Sequence, residues 1–167
     1  MTTIDTGRLL LRDFTADDAA FVLRLVNQPA FLRYIGDRGV RTLDDARRYI
    51  ADGPVASYAL HGHGLMRVVR KSDGVEVGMC GVLKRDTLPD PDIGFSFFPE
   101  YWSQGYALES ARAVMRHARE TLGLGRILAI TTVDNEPSMR LLGKLGFRPE
   151  GIVNLGGEDL RLFVSEP

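Results

Sequence analysis

The segment SQGYAL, from Ser103 to Leu108, has residue types that could bind an anion at the start of a helix. The first turn of a helix offers unpaired backbone N–H groups and the positive end of the helix dipole, so a phosphate is stabilised there without a basic side chain. Gly105 has no Cβ and is free in φ, while Ala107 keeps the approach open. The other interpretation is an ordinary loop glycine before an amphipathic helix.

Motifs for other ligands are missing around this segment. It has neither the G-K-[ST] of a Walker loop nor a G-x-G-x-x-G fingerprint, which disfavours ATP and NAD. His61 and His63 have no Cys or carboxylate at ligand spacing, so we predict no metal site. Cys80 could be a nucleophile only as a thiolate, and its apolar surroundings in VGMCGVL predict a buried, inert thiol instead.

Length and composition exclude several classes of protein. A chain of 167 residues fits a single domain, residues 1–167, and a net charge of -1 disfavours a dedicated nucleic-acid binder. The lone Cys80 suits a reducing compartment, so we predict a cytoplasmic protein. No apolar run approaches the roughly 18 residues of a membrane span, so we expect no membrane partner.

The first third of the chain predicts one strand followed by two helices. Residues 8–14, RLLLRDF, are an apolar run typical of a strand. Thr15 and Thr42 are each followed three residues later by Asp, which resembles a capping box at a helix start. Pro29 and Gly36 interrupt the stretch between them.

The remaining chain predicts an antiparallel meander followed by alternating helices and strands. The meander consists of YALHG from Tyr58, LMRVVRK, VEVGMCGVLKR and a fourth strand, DIGFSFF, from Asp92 to Phe98. Apolar residues at gaps of three and four between Leu108 and Leu122 predict an amphipathic helix. A buried strand (126–133), a short helix that Asn135 caps, and two strands (152–155 and 160–164) follow.

Two long segments, DIGFSFFPEYWSQGYALESARAVMRHA and ITTVDNEPSMRLLGKLGFRPEG, resemble the GNAT superfamily of acetyl-CoA-dependent N-acetyltransferases. Within that superfamily they resemble the RimJ/RimL branch of ribosomal-protein N-terminal acetyltransferases, and the opening TGRLLLRDFTADDAAFV is similar to that branch too. The resemblance implies an α/β (α+β) fold. It has a mixed, mostly antiparallel central sheet of about seven strands, splayed between strands 4 and 5 and flanked by helices.

The same resemblance implies where acetyl-CoA would bind. Backbone amides would carry its pyrophosphate at Ser103, Gln104, Gly105, Tyr106, Ala107 and Leu108. Phe97 would pair with the pantetheine, Asn135 would bind the pantetheine arm, and Lys144 would face the nucleotide. Trp102 stands where the wider family has Arg or Gln. From the residues alone, Asn135 is equally a helix cap and Lys144 a surface lysine.

Acetyl transfer needs a neutral amine and a proton for the departing thiolate. An α-amine has a pKa of about 8 and a lysine about 10.4, so an N-terminal acceptor needs less help from a base. Asp92 is the first candidate for a water-relayed base and Glu136 the second; a solvated carboxylate is the alternative for both. Gly143 replaces the family's tyrosine acid, and Ser138 matches the branch's serine near the sulfur; it could also bond its own backbone.

We therefore predict transfer of an acetyl group from acetyl-CoA to a primary amine, on a protein N-terminus or a small molecule, in a ternary complex. The enzyme would use no metal, bind no nucleic acid directly and act as a monomer or homodimer. Two alternatives stay open. A non-catalytic acyl-CoA-binding or sensing module would keep the amide cradle without transfer, and a thioester hydrolase would release thiol without an acceptor.

Overall fold

A computed structural model describes all 167 residues, which form one eight-stranded sheet with helices on both faces. The strands are β1 (Thr3–Asp5), β2 (Leu9–Asp13), β3 (Leu65–Arg70), β4 (Glu76–Leu83), β5 (Asp92–Phe97), β6 (Ile127–Thr132), β7 (Arg148–Leu155) and β8 (Glu158–Ser165). The helices are α1 (Ala19–Leu25), α2 (Pro29–Tyr34), α3 (Leu43–Ile50), α4 (Ala56–His61), α5 (Tyr106–Glu120) and α6 (Glu136–Lys144). None of the helices has the length and apolarity that crossing a bilayer requires.

The sheet is mixed, with the order β1-β2-β3-β4-β5-β6-β8-β7. All neighbours are antiparallel except β5 and β6, which are parallel and pair only through Asp92 and Leu128, at their N-terminal ends. Beyond this pair the two strands separate, which leaves a cleft that opens toward their C-terminal ends. The predicted fold class and splay are confirmed, and the extra strand is the short edge strand β1.

Two apolar clusters hold the helices to opposite faces of the sheet. On one face, α5 buries Ala111 and Ala118 completely against residues such as Leu9 and Val77. On the other face, α1, α2 and α3 cover a second cluster, which includes Met79 of β4. The cleft between β5 and β6 therefore lies in a framework that is packed on both sides.

The two predicted capping boxes are present. Thr42 accepts a hydrogen bond from the N–H of Asp45 (3.0 Å), and the Asp45 carboxylate accepts from the N–H of Thr42 (3.1 Å). Thr15 and Asp18 form the same pair at the short 3₁₀ turn that precedes α1. In both places the chain supplies partners for backbone donors that a helix start leaves free.

Two local predictions are wrong. YALHG is not a strand: its first four residues belong to α4, which ends at Gly62 in the left-handed conformation. The Tyr58 hydroxyl, which accepts from Phe14 N–H and donates to the Leu65 carbonyl, ties this helix to the sheet. Pro29 does not interrupt the chain but begins α2, where its missing N–H costs nothing.

Candidate functional site

The turn before α5 leaves a continuous row of backbone N–H groups unused. The N–H groups of residues 103–108 donate to no other group of the chain, and the first helical bond runs from Glu109 N–H to the Gly105 carbonyl (3.0 Å). No side chain caps this helix. Ser103 (φ +61°) and Gly105 (φ +82°) both adopt positive φ, so the turn contains two left-handed residues.

This geometry suits an anion with several oxygens. Successive N–H groups around left-handed residues form a concave nest, and the dipole of the 15-residue helix α5 adds to its positive potential. Residues 102–105 are exposed, so a ligand can reach the nest from solvent. We call residues 103–108 the amide cradle.

The edge of β5 beside the cradle also offers free polar groups. Phe98 N–H donates to the Val77 carbonyl on β4 (3.1 Å), and since antiparallel bonding alternates, the backbone of Phe95 and Phe97 points the other way, into the cleft. The Phe97 carbonyl accepts from the Trp102 indole N–H (2.9 Å). Trp102, the only tryptophan of the chain, is 48% exposed at the mouth of this cleft.

Asn135 lies at the end of the other strand that borders the cleft. Its side-chain oxygen caps α6 by accepting from Ser138 N–H (3.3 Å), as the helix-cap interpretation expects. Its amide NH₂ donates to no group of the chain and stays free for a ligand. The Ser138 hydroxyl forms no hydrogen bond either. The bond to its own backbone, which the alternative interpretation of this serine expects, is therefore absent.

Lys144 occupies the opposite end of α6. The side chain is exposed and forms no ion pair. A helix of nine residues rises about 12 Å between its end residues, so Lys144 and Asn135 could contact only different parts of one extended ligand.

Asp92 lies at the closed end of the cleft and is 1% exposed, so it is not a solvated carboxylate. Arg85 binds both its oxygens, from Nε to Oδ1 (3.0 Å) and from Nη2 to Oδ2 (2.9 Å). Burial raises the pKa of Asp92 above its ordinary value, although the nearby Arg85 charge opposes the rise. No sequence motif identified Arg85 as a site residue, because its contact with Asp92 forms only when β4 and β5 pair as a hairpin.

The other titratable candidates lie in plainer surroundings. Glu136 is exposed, 3.8 Å from Arg140. Cys80 is fully buried, which confirms that prediction, and burial raises the pKa of its thiol far above the ordinary value. His63 Nδ1 lies 2.6 Å from the Val82 carbonyl, and its ring stacks on His61. No cluster of three or more His, Cys, Asp or Glu side chains could hold a metal ion.

Comparison with known proteins gives one consistent family. Residues 8–148 match the family described as acetyltransferase (GNAT) domain. The uncharacterized N-acetyltransferase YoaA of Bacillus subtilis is 30% identical over 154 residues, covering 90% of this chain and 85% of YoaA.

Solved structures have the same fold. A GNAT-family acetyltransferase from Bacillus anthracis is 27% identical, with a TM-score of 0.81 and coverage of 99% of this chain and 98% of that one. The RimL ribosomal L7/L12 alpha-N-protein acetyltransferase in complex with coenzyme A is 18% identical, with a TM-score of 0.82 and coverage of 99% and 98%.

Proposed function

The chain belongs to the GNAT acetyltransferase family and is an acyltransferase, and we propose that it transfers an acetyl group from acetyl-CoA to a primary amine by direct attack in a ternary complex. The observation that carries the proposal is the amide cradle: six consecutive N–H groups, residues 103–108, that no group of the chain uses. A diphosphate has the charge and the number of oxygens to accept from several of them at once.

The rest of the coenzyme would follow the cleft between β5 and β6. The Phe97 N–H, the Phe95 backbone and the Asn135 amide are the groups that would bind the pantetheine arm, because all face the cleft or are free beside it. The Phe97 carbonyl already accepts from Trp102 and contributes less. Lys144, exposed at the far end of α6, would face the nucleotide end of the coenzyme.

Acetyl-CoA supplies an activated thioester, and the chain must then manage two protons. The free hydroxyl of Ser138 would donate a hydrogen bond toward the departing sulfur in place of the family's tyrosine, which is Gly143 here. Asp92, with its raised pKa, would receive the amine proton through water, since its oxygens keep lone pairs beyond those that Arg85 uses. A protein α-amine, with a pKa of about 8, needs only such modest help.

We further assign the chain to the RimJ/RimL-like branch, with a protein N-terminus or a small-molecule amine as the acceptor. The resemblance of the opening TGRLLLRDFTADDAAFV to that branch and the match of Ser138 to the branch's serine support this assignment. The buried, reduced Cys80 suits a cytoplasmic location and excludes a covalent acetyl-cysteine route at this residue.

Trp102 provides the experiment that tests the function. The protein is titrated with coenzyme A while the fluorescence of this single tryptophan is followed, and thiol release from acetyl-CoA is then measured with and without N-terminal peptides and amines. We expect saturable binding and thiol release that depends on an amine. Binding without any release would identify a non-catalytic module, and release without an acceptor would identify a hydrolase; either result contradicts the proposal.

A second experiment tests Asp92 separately from its ion pair. Asp92→Asn should lower kcat by about 100-fold at neutral pH, within the range for loss of a general base. The matched variant Asp92→Asn with Arg85→Met removes both charges. If Asp92 only neutralises Arg85, the double variant recovers activity; if Asp92 is the base, activity stays low in both.

A further inference from the structure

Arg8, in the turn between β1 and β2, joins the start of the chain to the amide cradle. Its Nη1 donates to the Gln104 carbonyl (2.9 Å), and its Nε donates to Oε1 of Glu109 in the first turn of α5 (2.8 Å). The guanidinium also lies over the Tyr106 ring, 4.6 Å from its centroid. One side chain therefore contacts the cradle at Gln104 and Tyr106 and also binds Glu109, the residue that follows it.

The bond to Gln104 fixes the direction of a cradle donor. In a trans peptide the carbonyl and the following N–H point in opposite directions, and this chain has no cis peptide bond. While Arg8 holds the Gln104 carbonyl, the Gly105 N–H must point away from Arg8. Without this bond the Gln104–Gly105 peptide is free to turn, because glycine tolerates either sign of φ.

The ion pair with Glu109 offsets a negative charge that would oppose a bound anion. Its carboxylate lies in the first turn of α5 and accepts from the Thr6 hydroxyl (2.6 Å), the Arg8 N–H (3.0 Å) and Arg8 Nε (2.8 Å). Burial raises the pKa of Glu109, but the hydrogen bonds from Thr6 and Arg8 outweigh it, so the group stays ionised. The positive charge of Arg8 therefore offsets a negative charge beside the cradle.

We propose that Arg8 is a positioning residue for the coenzyme diphosphate: it fixes the Gln104–Gly105 peptide and neutralises Glu109 so that the cradle is preorganised. The inference rests on the proposed function. Arg8 acts through the backbone amides, so its effect depends on the fork of its guanidinium and not on its charge alone. A lysine can reach the Gln104 carbonyl or Glu109, but it cannot form both bonds with one planar group.

The variants Arg8→Gln and Arg8→Lys test this role. The backbone N–H of residue 8 and the Thr6 hydroxyl still bind Glu109 in both, so α5 keeps its anchor. We expect the dissociation constant of coenzyme A to rise about 20-fold for Arg8→Gln and at least about 5-fold for Arg8→Lys, from loss of preorganised hydrogen bonds. The loss should persist at high salt, where a pure charge effect is screened.

A second readout separates positioning from general damage. With S-acetylpantetheine, which lacks the diphosphate, kcat/KM should change less than about 2-fold, whereas kcat/KM for acetyl-CoA falls with its affinity. Arg116→Gln is the matched control, since Arg116 lies on α5, the helix that follows the cradle, and is exposed without an ion pair or hydrogen bond.

The outcomes distinguish this inference from the proposed function. Wild-type affinity in Arg8→Lys, or equal losses with both donors, overturns the positioning role alone. If Gly105→Asp also keeps full affinity for coenzyme A, the diphosphate does not bind the cradle and the proposed function fails with it.

Discussion

Three helix starts in this protein show two different ways of treating the same backbone groups. At Thr15 and Thr42, capping boxes bind backbone N–H groups of the helix start: the Thr side chain accepts from one N–H, and the Asp three residues later accepts from the Thr N–H. At Gly105 no side chain caps α5, and the N–H groups of residues 103–108 find no partner in the chain. The cradle therefore leaves out stabilising bonds that the same chain forms elsewhere.

The difference indicates that the start of α5 is adapted to bind a ligand, whereas the other two helix starts stabilise the fold. A side-chain cap contributes about 1 kcal/mol to the free energy of unfolding, which is small for most proteins. The 15-residue helix α5 has no such cap and lacks this stabilisation. Exposure keeps that loss small, because water can solvate the unpaired N–H groups. The loss is offset when a ligand binds the same groups, which a capping side chain would occupy.

The largest effect should follow from placing a negative charge in the cradle. Gly105→Asp and Gly105→Asn are nearly isosteric and both tolerate positive φ, but a Cβ at this position lies 3.1 Å from Arg8 Nη2. We expect the dissociation constant of coenzyme A to rise about 10-fold for Asn and about 1000-fold for Asp, because only Asp repels the diphosphate. Calorimetric titration measures both values.

Gly62→Asn is the control for backbone strain. Gly62 has a φ of +78° at the end of α4, and no atom lies within 4 Å of a Cβ built there. The variant should lose stability like Gly105→Asn while binding coenzyme A normally. Equal affinities of the Asp and Asn variants at position 105 would contradict an anion site.

The next largest effect should be on stability, at Asp18 in the capping box that precedes α1. Asp18 is 4% exposed, accepts from Thr15 N–H (2.9 Å) and binds Arg12 through both oxygens (2.8 and 2.9 Å). Asp18→Asn should lower the free energy of unfolding by about 3 kcal/mol at pH 7, since it leaves the Arg12 charge unpaired. Coenzyme affinity should stay within about 2-fold, because Asp18 has no contact with the cradle.

The pH dependence of Asp18 checks the cause. Burial raises its pKa, but the bonds from Arg12 and Thr15 outweigh burial and leave the folded pKa below its ordinary value. Its contribution to stability is therefore complete above the unfolded pKa of about 3.9 and is lost as pH falls through the folded pKa. Urea unfolding should show the gap between wild type and Asp18→Asn closing at acid pH. A gap that does not change with pH would mean that packing, and not charge, is responsible.

The smallest effect should come from the exposed cap at Thr42. Thr42→Ala removes the acceptor for Asp45 N–H and should lower the free energy of unfolding by about 1 kcal/mol, while Thr42→Ser should lose much less. Chemical denaturation measures both variants. A change in the coenzyme affinity of Thr42→Ala would contradict the conclusion that this helix start stabilises the fold without contributing to ligand binding.

Local chemistry accounts for most of what could be predicted about the fold. The Thr–Asp spacing marked two helix starts, and apolar periodicity marked α5 and the buried strand β6, because neighbouring residues decide these features. YALHG was predicted as a strand because a short apolar stretch has no distinct period. In the folded chain it belongs to α4, and the Tyr58 hydroxyl attaches this helix to the backbone of Phe14 and Leu65.

The family resemblance, most of the element types and the segment that forms the cradle can be predicted from the sequence alone, since each depends on a continuous stretch of residues. The folded chain, in contrast, is needed to learn that Arg8 holds Gln104 from 96 residues away, that Arg85 pairs with a buried Asp92, and that β5 and β6 separate after one residue pair. Strand order and register fix these contacts, and both depend on the packing of the whole chain.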